Sequence, residues 1–405
     1  MTDVESAADR GDAPVIRTGA GEPVAGPGGT AAGDLPPCPD PRRHPLRAVA
    51  WLLTLGTGLA SLLLLLAMLA AFPVLNVLAL GTMLEAEGRV VRSGRLRDGI
   101  PFAGLLPRIG TVVLGGWLWL LVVRLVSDAA ADAALIDPAG ASARGWAAAR
   151  LAVTAGVGIH LIAAVFAGGG LVDFFRPIRS ARRLGAALLR GTAWATAAAA
   201  LADGVAAVRP GRLFSLGARG LLGGLLWLVP PTLLLSSLRD TTRPWGVVVT
   251  VVGGLLLAVV LSWVPFLQAR FAADPRWHVF LDLSAVRGMW RRAPLVMGLA
   301  VVLLYGLSLP LSLFKIVAAP RDAVLLLTPI FIVTIYPARL AVGWAAHHAA
   351  GREADGWRIV RWPLGAIVMG LLLAYVFLLF FTPAIDAFGR RVLFDHHAVL
   401  LPTPM

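Results

Sequence analysis

The chain has 405 residues, of which 58% are hydrophobic, with a mean hydropathy of +0.79 and a formal net charge of +13. That apolar share excludes an ordinary soluble globular domain, and repeated uncharged runs of span length place the core in lipid. The positive charge is almost all arginine, Lys315 being the only lysine. It flanks apolar spans, which points to positive-inside topology and anionic lipid headgroups rather than nucleic acid. The arginine bias, with much Ala, Gly and Pro, fits a GC-rich bacterial genome.

Residues 1–47 hold Gly, Ala, Pro and acid with almost no large apolar side chain. Such a segment cannot bury a core and is expected to be disordered. Cys38 is the single cysteine and lies in this tail, so no intramolecular disulfide can form. No apolar signal precedes it, and no N-terminal signal peptide is visible.

Ala48 to Leu84 is uncharged and longer than one bilayer crossing needs at about 1.5 Å per residue. Pro73 and Asn76 interrupt it, and proline removes a backbone donor. Either one tilted span runs on along the interface, or the helix breaks near Pro73 and a shorter arm returns to the same side. The flanking charge favours the return, because Arg42, Arg43 and Arg47 before it and Arg89, Arg92, Arg95, Arg97 and Arg108 after it all call for the cytoplasm. Spans are then expected at 109–127, 150–171, 213–238, 243–267, 293–317, 323–346 and 362–384, with a short tail at 385–405. The loop carrying Asp128, Asp132 and Asp137 reads as external.

Two connecting segments are strongly basic. Residues 172–212 hold Arg176, Arg179, Arg182, Arg183, Arg190, Arg209 and Arg212, while Ile178, Ala181, Leu184, Leu188 and Leu189 recur at helical spacing. This predicts a basic amphipathic helix on the inner membrane surface, or else a soluble hairpin packed on the bundle. Residues 268–292 mix Trp277, Phe280, Val286, Met289 and Trp290 with Arg270, Arg276, Arg287, Arg291 and Arg292, as a chain would that leaves the membrane, lies along it and re-enters. Arg176, Arg179, Arg183, Arg287, Arg291 and Arg292 are the expected contacts to anionic lipid.

The run Phe72-Pro73-Val74-Leu75, then Glu85 to Gly94, then Ile100-Pro101, resembles the corresponding stretch of a bacterial multi-pass membrane family whose domain has no assigned function. A second block matches the same pattern: Gln268 to Ala273, then Phe280, Val286-Arg287 and Arg291-Arg292-Ala293-Pro294. The two blocks cover about a quarter of the chain and describe a membrane-surface helix. The acidic tail, the 172–212 segment and the extra spans depart from the family. The resemblance implies an integral membrane protein and brings no catalytic residue.

Ionisable groups inside a membrane are costly and mark candidate sites. His160, in the middle of VTAGVGIHLIAAVFAG, is the first; its plain role is a neutral imidazole bonded to a neighbouring helix. Asn76 is the second, placed to satisfy backbone groups freed by the break. Arg124, Arg339 and Lys315 lie near span ends, where long side chains reach the interface. No Asp or Glu is expected in the middle of a span, which counts against an ion-coupled carrier. His347-His348 with Glu353, and Asp395-His396-His397, lack metal-ligand spacing, so neither a metal nor a cofactor is expected. No nucleotide loop, nucleophile elbow or catalytic carboxylate pair is present.

The sequence therefore predicts an all-α, polytopic transmembrane helical bundle of about 7–8 spans, with basic amphipathic interfacial helices, in the bacterial inner (cytoplasmic) membrane. The leading expectation is a non-enzymatic accessory or lipid-interacting component, with membrane lipids as partners and room for a protein partner or a homo-oligomer. The alternative is a permease for a small or lipid-like solute, resting on Pro- and Gly-broken segments at 73, 230–231 and 310. A membrane enzyme using His160 or the 347–353 cluster stands third.

Overall fold

The computed structural model describes residues 38–237, 244–316, 324–353, 358–381 and 393–394. Residues 1–37 of the predicted disordered tail, most of the C-terminal tail and the Asp395-His396-His397 cluster lie outside these, while Pro45, Leu46 and Arg47, expected in that tail, open the first helix. Among the described residues the chain is all helical, with no strand, and eight of its helical segments are long and apolar enough to cross a membrane. It is a multi-pass membrane protein.

Among the described residues thirteen α-helices follow one another. They are α1 (Pro45–Ala70), α2 (Pro73–Ser93), α3 (Leu106–Ile136), α4 (Ala141–Phe166), α5 (Leu171–Phe175), α6 (Pro177–Leu189) and α7 (Ala193–Val208). Then come α8 (Pro210–Leu235), α9 (Pro244–Ala273), α10 (Leu283–Arg292), α11 (Pro294–Ile316), α12 (Val324–Ala350) and α13 (Arg358–Phe381). Two 3-10 turns, Leu96–Gly99 and Trp277–Leu281, follow α2 and α9.

The first apolar stretch breaks at Ala71-Phe72, just ahead of Pro73, and α2 folds back on α1. Leu62, Leu66, Ala67 and Ala70 of α1 close one core with Ala79, Met83 and Ala86 of α2 and with Phe331, Ile332 and Ile335 of α12. The helix does not stop at Leu84, where the apolar run ends, but continues to Ser93. No breaker intervenes before Gly94, whose left-handed backbone (φ 70°) caps it while its N–H bonds the Val90 carbonyl.

Around α2 stand α1, α8, α9 and α12. Glycines permit the closest approaches. A Cβ on Gly81 would overlap the Leu213 carbonyl oxygen, one on Gly217 the Val77 carbonyl oxygen, and one on Gly88 the Ala272 carbonyl oxygen. This is the small-residue packing that membrane helices use where apolar burial alone gives little drive.

The second core holds Phe266, Phe271 and Phe280, each at most 1% exposed. The Trp227 indole N–H bonds the Phe280 carbonyl at 2.9 Å, and Gly223 leaves room for the Phe280 ring. Helix α10 belongs to this core rather than lying apart from it: Val286 and Met289 are buried, and α10 packs on α9, α11 and α12. Helices α8 and α11 run unbroken through Pro230-Pro231 and Pro310. The helical breaks predicted there are absent. In α8 the Thr232 hydroxyl donates to the Leu228 carbonyl at 2.8 Å, one turn back along the same helix.

Helices α3 and α4 form a hairpin that packs on α1 through α3 and carries α5 and α6. Helix α3 reaches Ile136 and so includes Asp128 and Asp132, which the sequence places in a loop. The apolar segment Ala193–Val208, expected within a cytoplasmic connection, is the separate helix α7, divided from α8 by Arg209 at φ 51°.

Candidate functional site

The 172–212 segment builds a large recess lined by charged groups. It begins where α4 ends. The Thr111 hydroxyl of α3 donates to the Gly169 carbonyl at 2.7 Å, and Gly115 makes space for the Phe174 ring, so the start of α3 holds the short α5. The Trp119 indole N–H and His160 Nε2 both reach the Phe174 carbonyl, at 2.9 and 2.8 Å. A carbonyl only accepts, so His160 carries its proton on Nε2. Its ring packs edge-on to Trp119, and Nδ1 is buried with no hydrogen-bond partner among the described residues. His160 thus fixes α5, and through Asp173 it fixes α6: the Ser180 hydroxyl donates to the Asp173 carbonyl at 2.8 Å.

Helix α6 has three faces. Ser180 and Ala187 are buried toward α4. Arg179, Arg183 and Arg190 fall within about 40° of one another at 3.6 residues per turn. They line, with Arg176, Arg182 and the α7 residues Thr192 and Thr196, a recess of about 850 Å³. The third face is apolar and turned outward, with Ile178 69%, Leu188 62% and Leu189 92% exposed. Of the predicted apolar stripe only Leu184 turns partly toward the protein. Phe166, Phe175 and Ile178 form the apolar rim of the recess.

The arginines are sparsely paired. Arg183 lies 3.6 Å from the Asp173 carboxylate and donates to the Ala167 carbonyl. Arg190 donates to the Ala186 carbonyl of its own helix. Arg176, Arg179 and Arg182 have no hydrogen-bond or ion-pair partner among the described residues. Sequence reasoning found Arg176, Arg179 and Arg183 and missed Arg182 and Arg190 as members of the same site. Their common wall is set by the turn at Gly191 (φ 69°), which brings α7 across.

No family model, curated protein or solved structure matches this chain. What the site can do therefore rests on its own geometry.

The other predicted site residues lie elsewhere. Arg287 is exposed beside a smaller recess with Trp263 and Trp290. Arg291 is exposed. Arg292 is turned to the C-terminus of α12, donating to the Ala350 and Arg352 carbonyls at 3.3 and 3.2 Å, where a cation is favoured. Asn76 is 2% exposed, and its Oδ1 has no hydrogen-bond partner among the described residues. His347 donates from Nδ1 to the Val91 carbonyl at 2.8 Å, and His348 to the Trp344 carbonyl at 2.9 Å. These two rings join α12 to α2 and cap their own turn. Among the described residues no three His, Cys, Asp or Glu converge.

A buried polar cluster was not foreseen. Arg339, expected to reach the interface, is 3% exposed and turned inward. It donates to the Glu87 carboxylate at 2.6 Å and to the Gln268 side-chain oxygen at 3.1 Å, and Gln268 donates to the Gly220 carbonyl at 3.1 Å. One cluster so ties α2, α12, α9 and α8. Beside it Glu85 meets Arg89 and Arg212 at 3.2 and 3.1 Å.

At the surface, Asp282 caps α10. Hydrogen bonds from the Ser284 hydroxyl and the Ala285 N–H, then from Arg270, hold its carboxyl at about 2 against an ordinary 3.8. A depressed folded value means that this stability is complete above pH 3.8 and is lost as pH falls through about 2. Melting curves in detergent should therefore fall more steeply between those values for the wild type than for Asp282→Asn. Parallel curves would show that the cap is not what titrates.

Proposed function

We propose that this is a non-enzymatic, lipid-interacting component of the bacterial inner membrane, in which the arginine recess beside α6 takes the anionic headgroup of a membrane lipid. One observation carries the reading: α6 turns its large apolar residues outward and lines a recess with its arginines. A soluble hairpin packed on the bundle would be expected to do the reverse. A helix lying in the interface would sink Ile178, Leu188 and Leu189 into the acyl boundary and leave guanidiniums at headgroup depth. Arginine suits phosphate because its planar fork gives two parallel hydrogen bonds. The family resemblance noted above supports a membrane protein and adds no activity. The permease alternative loses two of its three supports, since α8 and α11 are continuous through their prolines.

Two experiments test this. Purified protein should retain anionic lipid at fixed stoichiometry in native mass spectrometry, and a triple Arg176→Glu/Arg179→Glu/Arg182→Glu variant should lose it while its melting temperature is unchanged. Retention of bulk lipid alone by the wild type would sink the reading. For orientation, an externally active reporter should be silent when fused at Gly99 or Gly185 and active at Gly140, because arginine-rich connections stay inside. The opposite pattern would reverse the topology.

A further inference from the structure

Resting on that reading, we infer that the lipid bound in the recess carries two phosphates on one headgroup rather than one. Charge argues first. Five guanidiniums face the recess, and the one carboxylate near them, Asp173, pairs with Arg183. Four positive charges are left without a counter-charge. A single phosphodiester carries one negative charge and would leave most of this repulsion standing. Length argues second. Arg179 and Arg190 share one face of α6 but stand about 17 Å apart along it at 1.5 Å per residue. One phosphate accepts forks from guanidiniums that converge on it, whereas two phosphates joined through a glycerol let each end of the stripe meet its own. Size argues third: about 850 Å³ is the room of a drug-sized ligand, far more than one phosphate fills. The apolar rim of Phe166, Phe175 and Ile178 gives the chains a way out toward the outward apolar face of α6. A diphosphatidyl lipid such as cardiolipin has this chemistry.

The test uses the full chain, delipidated in detergent, titrated with cardiolipin and with phosphatidylglycerol at equal phosphate, and read by native mass spectrometry. Cardiolipin should bind at one per chain and at roughly tenfold lower concentration. Arg190→Glu should weaken cardiolipin binding several-fold more than phosphatidylglycerol binding, because the second phosphate needs that end while a single phosphate can settle among the other arginines. Arg190 is exposed, so the variant should fold, and an unchanged melting temperature checks this. Equal binding of the two lipids per phosphate, or equal loss of both in Arg190→Glu, would overturn the two-phosphate inference and leave the lipid reading intact. Binding of neither lipid would overturn both. Inorganic pyrophosphate is the third arm: displacement of cardiolipin by equimolar pyrophosphate would show that the recess reads phosphates without chains, against a lipid.

Discussion

Replacing Gly81 or Gly217 with valine is expected to leave little folded protein in detergent. At each position the added Cβ would overlap a backbone carbonyl oxygen of the facing helix, on Leu213 and Val77 respectively. Backbone cannot swing aside as a long side chain can, so α2 and α8 would have to part. Overpacking a tight interior costs about 1–3 kcal/mol where side chains can yield, and more is expected where they cannot. The matched control is Gly56→Ala on α1, where nothing lies within 4 Å of the added carbon. That change should be neutral or stabilise by about 0.5–1 kcal/mol, because alanine loses less backbone freedom in a helix. Thermal unfolding followed by size-exclusion chromatography separates the cases. A Gly81→Val protein that melts like the wild type would mean that α2 and α8 do not meet as described.

Arg339→Ala should be the second most damaging change. It leaves the Glu87 carboxylate, 1% exposed, without its guanidinium, and it leaves the Gln268 oxygen without a donor. Removing one partner of a buried pair costs about 3–5 kcal/mol, mostly because the other charge is left stranded. The double variant Glu87→Met/Arg339→Leu should recover much of that loss, since an apolar pair of similar volume strands no charge. If the double variant is as unstable as Arg339→Ala, the pair's charge is not what decides the cost. Lys at position 339 should rescue only in part, because an ammonium cannot bridge Glu87 and Gln268 as a fork does.

The class, the approximate number of membrane-spanning helices and the fold-back before α2 were legible because each depends on long runs of similar residues. Uncharged runs of span length give membrane helices, and arginine clusters give the connections. The break was visible because proline lacks a donor whatever surrounds it. What escaped was everything fixed by which helix faces which. Glu87 and Arg339 are 252 residues apart; nothing local to Arg339 tells an inward guanidinium from one reaching the interface. Pro230-Pro231 and Pro310 look like Pro73 in sequence, but α8 and α11 continue through them. In the candidate site, spacing identified the arginine face of α6. It did not tell which face met the protein, because periodicity records only that two faces differ.

The same distance along the chain has a temporal side. Helix α2 is made early, whereas the Arg339 that neutralises Glu87 is added 252 residues later. At about 5–20 residues per second of synthesis, this is a wait on the order of 10–50 s. During it α1 and α2 are already present, while the Gly81 groove still lacks α8 and the Glu87 carboxylate still lacks its cation. The contacts that α2 makes with α8 and α12 are therefore formed late, well after the first hairpin has been made.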